Sequence, residues 1–179
     1  MSLPADVSIR RAGPADAEAL SELHLDCWDD AYAGLVPQEI LAERRMRILE
    51  RIDHWRGALE RGDVVWVAER DGTLIGFSEA RPADDPELAG LLELRVLYVR
   101  GPWWGTTVGH HLFRRAVGDE PSYLCVLEGN TRAIRFYERQ GYRTDGFTED
   151  VPEGRHVRML RSSTTAAGMQ DASGRFPAT

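Results

Sequence analysis

Two glycines at a strand-to-helix turn mark the first place where this chain could do chemistry. In Leu97-Tyr98-Val99-Arg100-Gly101-Pro102-Trp103-Trp104-Gly105-Thr106-Thr107-Val108-Gly109-His110-His111-Leu112-Phe113, a branched run enters, a short turn follows and a helical pattern leaves. That pattern sets Val108, Leu112, Phe113 and Ala116 on one side. The first turn of such a helix offers N–H groups with no intrahelical partner, together with the positive end of the helix dipole. A phosphate can bind there without a cationic side chain, and Gly105 and Gly109 let the backbone approach it closely. Glycine also serves plain turn chemistry at such a place, so this segment alone leaves both readings open.

Composition narrows the chemistry. All 22 basic side chains are arginine, and the chain contains no lysine. A Walker-type phosphate-binding lysine and a Schiff base are therefore excluded. The net charge of −7 argues against a nucleic-acid partner, which needs a basic surface. Cys27 and Cys125 lie in no CxxC pair and near no histidines at ligand spacing, so no metal site is expected; they read as two buried, reduced thiols of a cytoplasmic protein. No apolar run is long enough to span a membrane, and the first residues lack the features of a secretory signal. Trp28, Asp29, Asp30 and Tyr32 form a short aromatic and acidic cluster, which suits a cation. A helix end with solvated acids and one packed tryptophan is the other reading of that cluster.

The elements that must position these residues follow from periodicity. A strand at Val7-Ser8-Ile9-Arg10 precedes a helix opened by Pro14 and Asp16, with Ala19, Leu20, Leu23 and Cys27 on one face. Pro37 starts a second helix carrying Ile40, Leu41, Ile48, Leu49, Ile52 and Trp55, with Gly57 and Gly62 at its end. Strands follow at Val64 to Ala68, around Leu74 to Phe77 after the Asp71-Gly72 turn, and at Leu91 to Val99. A helix from about Gly105 to Val117, a strand at Tyr123 to Leu127, a helix capped by Asn130 and stopped by Gly141, and strands near Tyr142 to Phe147 and Arg155 to Leu160 complete the order. This predicts one mixed α/β domain around a single sheet over residues 1–161, and a flexible tail over 162–179 rich in Ser, Thr, Ala and Gly.

A second run, Asn130-Thr131-Arg132-Ala133-Ile134-Arg135-Phe136-Tyr137-Glu138-Arg139-Gln140-Gly141-Tyr142, resembles the Asn-x-x-Ala-x-x-Phe-Tyr-x-x-x-Gly-Phe/Tyr helix of the GNAT N-acetyltransferase superfamily. The glycine segment resembles that superfamily's pyrophosphate motif, and the element order from Val7 to Leu160 is similar to the family's. Two positions depart from the motif. Trp104 stands where an Arg or Gln is usual, and Thr107 takes the middle glycine's place. A β-branched residue tolerates positive φ poorly, so the loop either keeps negative φ at Thr107 or is reshaped.

The resemblance implies a GNAT fold, with a mostly antiparallel, splayed sheet flanked by helices. It implies acetyl-coenzyme A as co-substrate, a small-molecule or peptide amine as acceptor, and a single direct transfer between them. The cofactor would lie along Leu97, Tyr98 and Val99, with the Val99 N–H at the thioester oxygen. Trp104, Gly105, Thr106, Thr107, Val108, Gly109 and His110 would hold the pyrophosphate, with His110 or Arg114 reaching a phosphate. Asn130 and Ala133 would flank the cofactor's arm. Tyr137 matches the family's general acid, and a core aromatic is the alternative for it. Glu93 resembles a carboxylate acting through water; an exposed edge glutamate, a water chain or Glu69 are its alternatives. Trp28, Asp29 and Tyr32 would contact the acceptor, with Trp55, Glu149, Asp150, Arg155 and His156 facing the same pocket. A homodimer stays open, and a non-catalytic acyl-coenzyme A sensor is the rival function.

Overall fold

The computed structural model describes residues 2–162, and the tail expected at 162–179 lies, apart from Ser162, outside them. Branched and aromatic runs pair into seven strands: β1 (Ser8–Arg11), β2 (Val65–Arg70), β3 (Thr73–Pro82), β4 (Leu92–Val99), β5 (Ser122–Leu127), β6 (Arg143–Val151) and β7 (Gly154–Arg161). They form one sheet in the order β1-β2-β3-β4-β5-β7-β6. Helices α1 (Ala17–Tyr32), α2 (Gln38–Met46) and α3 (Ile48–Glu60) fall between β1 and β2. Helix α4 (Val108–Ala116) links β4 to β5, and α5 (Thr131–Arg139) links β5 to β6.

One junction in this sheet creates the site. Strands β4 and β5 run parallel but pair only at Leu92 with Ser122 and Glu93 with Tyr123. Beyond Glu93 they diverge. A bulge accounts for the timing: on the other edge of β4, Leu94 pairs with Ala80 and Val96 with Glu79, so Arg95 is an extra residue. An extra residue on one strand bends it and increases its twist. The extra residue falls two positions after the last β4–β5 pair, and the rest of β4 swings away from β5.

The helices pack on both faces. Leu20, Leu23 and Cys27 of α1 and Trp55 and Leu59 of α3 bury against Val65, Val67 and Phe77. Phe113 of α4 and Tyr137 of α5 bury against Leu94, Leu124, Val126 and Met159. Tyr142 is fully buried, and its hydroxyl lies 2.6 Å from Ser122 Oγ. Across the sheet, Val108 and Leu112 close over Ala68 and Ile75.

The single helix expected from Pro37 is in fact two, broken at Arg47 with φ −94° and ψ 28°. Met46 and Leu49 flank the break and are 78% and 73% exposed. Apolar spacing cannot show such a break, because these two residues fit the pattern without being buried. Helix α4 starts at Val108, three residues later than expected, because Gly105 takes φ +76° and interrupts the turn. The β6–β7 hairpin reaches further toward its turn than expected, with β6 running on to Val151 and β7 starting at Gly154.

Candidate active site

Two cavities meet at Tyr137. The smaller, about 140 Å³, is a slot between the β4–α4 loop and α5. The larger, about 320 Å³, fills the wedge between β4 and β5 and reaches α1 and α2. Tyr137, Arg132, Ala133 and Leu97 line both.

The slot is built largely from backbone. Trp104 donates its indole N–H to the Val99 carbonyl at 2.7 Å. Thr106 Oγ1 donates to the Trp103 carbonyl at 2.7 Å and accepts from the Val108 N–H at 3.3 Å. Beyond that contact to Val108, the N-cap residue Thr107 makes no side-chain cap bond, and the N–H groups of a helix's first turn have no intrahelical acceptor. Thr107 keeps φ −82° and donates its hydroxyl to the Ser2 carbonyl at 2.8 Å. The loop therefore holds negative φ at Thr107 and carries no strain there.

The edge of β4 faces the wedge in a defined way. Arg100 donates its N–H to the Ile75 carbonyl at 2.9 Å. Narrow and wide pairs alternate in an antiparallel ladder, so the N–H groups of Val99 and Leu97 point away from β3, toward the open edge.

The structure thus brings Leu97, Val99, Trp104, Gly105, Thr106, Gly109, Ala133 and Tyr137 to the slot. Tyr98 and Asn130 face the wedge instead. Asn130 Oδ1 accepts from the Ala133 N–H at 3.1 Å, which makes it the cap of α5. Val108 is buried in the core, Thr107 turns to Ser2, and His110 Nδ1 lies 3.1 Å from Gln140 Oε1. Arg114 pairs with Asp119. Arg139 was not foreseen: it lines the slot and pairs with no described carboxylate.

In the wedge, Trp28, Tyr32 and His156 stand where the sequence places them. Asp29 does not, since it turns outward to Arg45. Asp30 binds Arg100 and the Gly101 N–H, at 2.7 and 2.8 Å. Trp55 lies in the core behind His24. Glu93 sits at the closed end, outside the wedge lining, with its carboxylate 3.5 Å from Arg81. Glu69 pairs with Arg10, and Asp150 with Arg155.

Wedge residues not foreseen include His24, Arg44, Arg95, Arg132 and Glu153, and Tyr98, expected only along the cofactor, brings its hydroxyl there. The His24 imidazole is held well below its usual range by burial, then by Arg51 and Arg44. Its Nδ1 lies 3.1 Å from Arg51 Nη1, an obligate donor. The ring is therefore neutral with its proton on Nε2, and it offers a donor to the wedge rather than a base. Tyr32 and Tyr98 share a hydrogen bond of 3.1 Å between hydroxyls. Tyr137 is almost fully buried, and burial, followed by Tyr32 and Tyr142, pushes its hydroxyl well above the ordinary value of 10.0. It stays protonated at neutral pH and can only give a proton, not take one.

Comparison with known proteins gives the family and the fold. A model of the acetyltransferase (GNAT) family matches residues 17–142. A probable N-acetyltransferase of Mycobacterium tuberculosis, Rv2775, is 28% identical over 149 residues, which is 81% of this chain and 84% of that one. Among solved structures, the PaiA N-acetyltransferase of Thermoplasma acidophilum in complex with coenzyme A has a TM-score of 0.68 at 24% identity, covering 90% of this chain and 99% of that one. YncA, a putative acetyltransferase of Salmonella typhimurium with acetyl-CoA, has a TM-score of 0.65 at 16% identity over 98% and 100%. At these identities the structures show the fold alone.

Proposed function

Since the chain belongs to the acetyltransferase (GNAT) family, and is thereby an acyltransferase, we propose that it moves the acetyl group of acetyl-coenzyme A directly to a primary amine in a ternary complex. The observation that carries this reading is the place of Tyr137, a protonated hydroxyl where the slot opens into the wedge.

The residues present suit such a co-substrate. The first turn of α4 beyond Val108, and the Arg139 guanidinium, which pairs with no described carboxylate, suit the phosphates. The unpaired edge of β4 suits an extended amide arm, which can add to it as a strand does. The amine, arriving from the wedge as its neutral form, attacks the thioester carbonyl. A C–N bond forms, and charge gathers on the carbonyl oxygen, where the Val99 N–H stabilises it. The C–S bond then breaks, and Tyr137 gives its proton to the departing sulfur. Glu93 takes the amine's proton only through water, given its place at the closed end; Glu153, which lines the wedge, is the nearer carboxylate.

The sensor reading rested on a strained Thr107, and the relaxed geometry there removes that support. Calorimetric titration of acetyl-coenzyme A, with ATP and NAD as controls, tests the reading when followed by thiol release across an amine panel. Selective binding with amine-dependent thiol release is expected. Binding with no turnover on any amine would restore the sensor.

A further inference from the structure

The wedge carries a charge that the chain as a whole does not. The sequence is acidic, at −7, yet the charged side chains lining the wedge are Arg44, Arg95 and Arg132 against Glu153. The acids expected here are engaged elsewhere, Asp29 with Arg45 and Asp30 with Arg100.

Two of these arginines are poorly matched by the protein itself. Arg44 lies over Trp28, with its guanidinium carbon 3.4 Å from the ring centroid. Its carboxylate partner, Glu153, is 3.5 Å away, against the roughly 2.7–2.9 Å of a charge-assisted hydrogen bond. Arg44 Nε and Trp28 Nε1 are buried donors without a hydrogen-bond partner among the described residues. Arg132 stacks on Trp104 and pairs with no described carboxylate. Arg44, Arg132 and Tyr32 all line this one cavity.

Arg44 is partly buried and needs an acceptor of opposite charge, while Arg132 is exposed and adds positive charge to the same wedge lining. A polyamine brings only donors and positive charge, so it would leave both arginines unmatched and repel them. A carboxylate brings negative charge and lone pairs in the planar arrangement that a guanidinium fits. We therefore infer that the acceptor is an amine that also bears a carboxylate, held by Arg44 and Arg132 with its amine toward Tyr137. This rests on the acetyltransferase reading and names the acceptor class within it.

N-acetyl amino acids are the products of such an acceptor, and each differs from its carboxamide only in that charge. The test titrates a panel of these pairs, with N-acetylspermidine as a polycation, into the protein with and without coenzyme A, read by ligand-observed NMR. Loss of a hydrogen-bonded charge predicts that the best carboxylates bind about tenfold or more tightly than their carboxamides. Arg44→Gln and Arg132→Gln should each shrink that difference, with melting curves confirming that the variants fold; where one fails to fold, the other reads the same effect. Equal binding within pairs, tighter binding of the polycation, no binding by any carboxylate, or a preference that survives both substitutions would overturn the inference. Failure of the acetyltransferase reading shows separately, as no thiol release from acetyl-coenzyme A with any amine, free amino acids included.

Discussion

The slot and the wedge are built by opposite strategies. The slot is assembled from two continuous stretches, the β4–α4 loop and α5, and its working groups are backbone N–H donors, small residues and one tyrosine. The wedge draws single side chains from α1, α2, β4, β5, α5 and the β6–β7 hairpin, and its character lies in arginines and hydroxyls. A surface made of backbone holds one ligand in one way and keeps the same local sequence. A surface made of scattered side chains can change its ligand one residue at a time, without disturbing the fold. The fixed co-substrate and the variable acceptor divide along that line, with Tyr137 where the two surfaces meet.

The sharpest break of this comparison is Tyr137→Phe. Removing the acid should lower kcat about a hundredfold, or about 2.7 kcal/mol in the barrier, with acetyl-coenzyme A affinity little changed. The raised titration of Tyr137 adds a pH signature. Its hydroxyl stays protonated above the ordinary value of 10.0, so kcat should rise with pH as the amine loses its proton and show no fall from Tyr137 up to that pH. The sign for stability is the same: the folded state favours the protonated phenol, so this contribution is complete below the unfolded value and fades as pH rises past it.

Gly76→Ala reads how tightly the β4 edge is held. An added Cβ would lie 2.8 Å from the Tyr98 carbonyl oxygen and 3.0 Å from Leu112 Cδ1, so overpacking of about 2 kcal/mol is expected in chemical denaturation. Asn130 separates scaffold from contact at the wedge. Asn130→Ala should lose the α5 cap at about 1 kcal/mol, and Asn130→Asp should restore it. Coenzyme A binding that tracks stability in both variants marks the residue as a cap alone. The smallest effect belongs to Thr107→Val, which removes an exposed hydrogen bond to Ser2 and should cost about 0.5 kcal/mol or less. A large loss of coenzyme A affinity in that variant would give Thr107 a ligand contact.

How much of this was legible in the sequence follows from the same division. Gly105, Gly109, Ala133 and Tyr137 were readable because their spacing within each run is their signature. The order of strands and helices was readable from periodicity. The bulge at Arg95 was not, since an extra strand residue leaves no mark in a run of apolar and charged residues, yet it decides where the sheet opens. Asp29 was misplaced because α1 turns it toward Arg45, and sequence proximity to Trp28 says nothing about direction. Arg44 was missed because it reads as a solvated residue on a polar helix, and only the break at Arg47 and the packing of α2 set it over Trp28. His24 looks like one more core position of α1, and its neutral state comes first from burial and then from Arg51 and Arg44, far along the chain.

The most direct test of the central claim, direct transfer past Tyr137, is intact-protein mass spectrometry after incubation with acetyl-coenzyme A, with and without an acceptor amine. Cys125, unlike Cys27, is exposed rather than buried as the sequence suggested; it lines the wedge and offers a thiol that could carry the acetyl group instead. The expected result is an unmodified protein under both conditions, with free coenzyme A appearing only when amine is present. One acetyl group on the protein without amine, discharged when amine is added, would contradict direct attack.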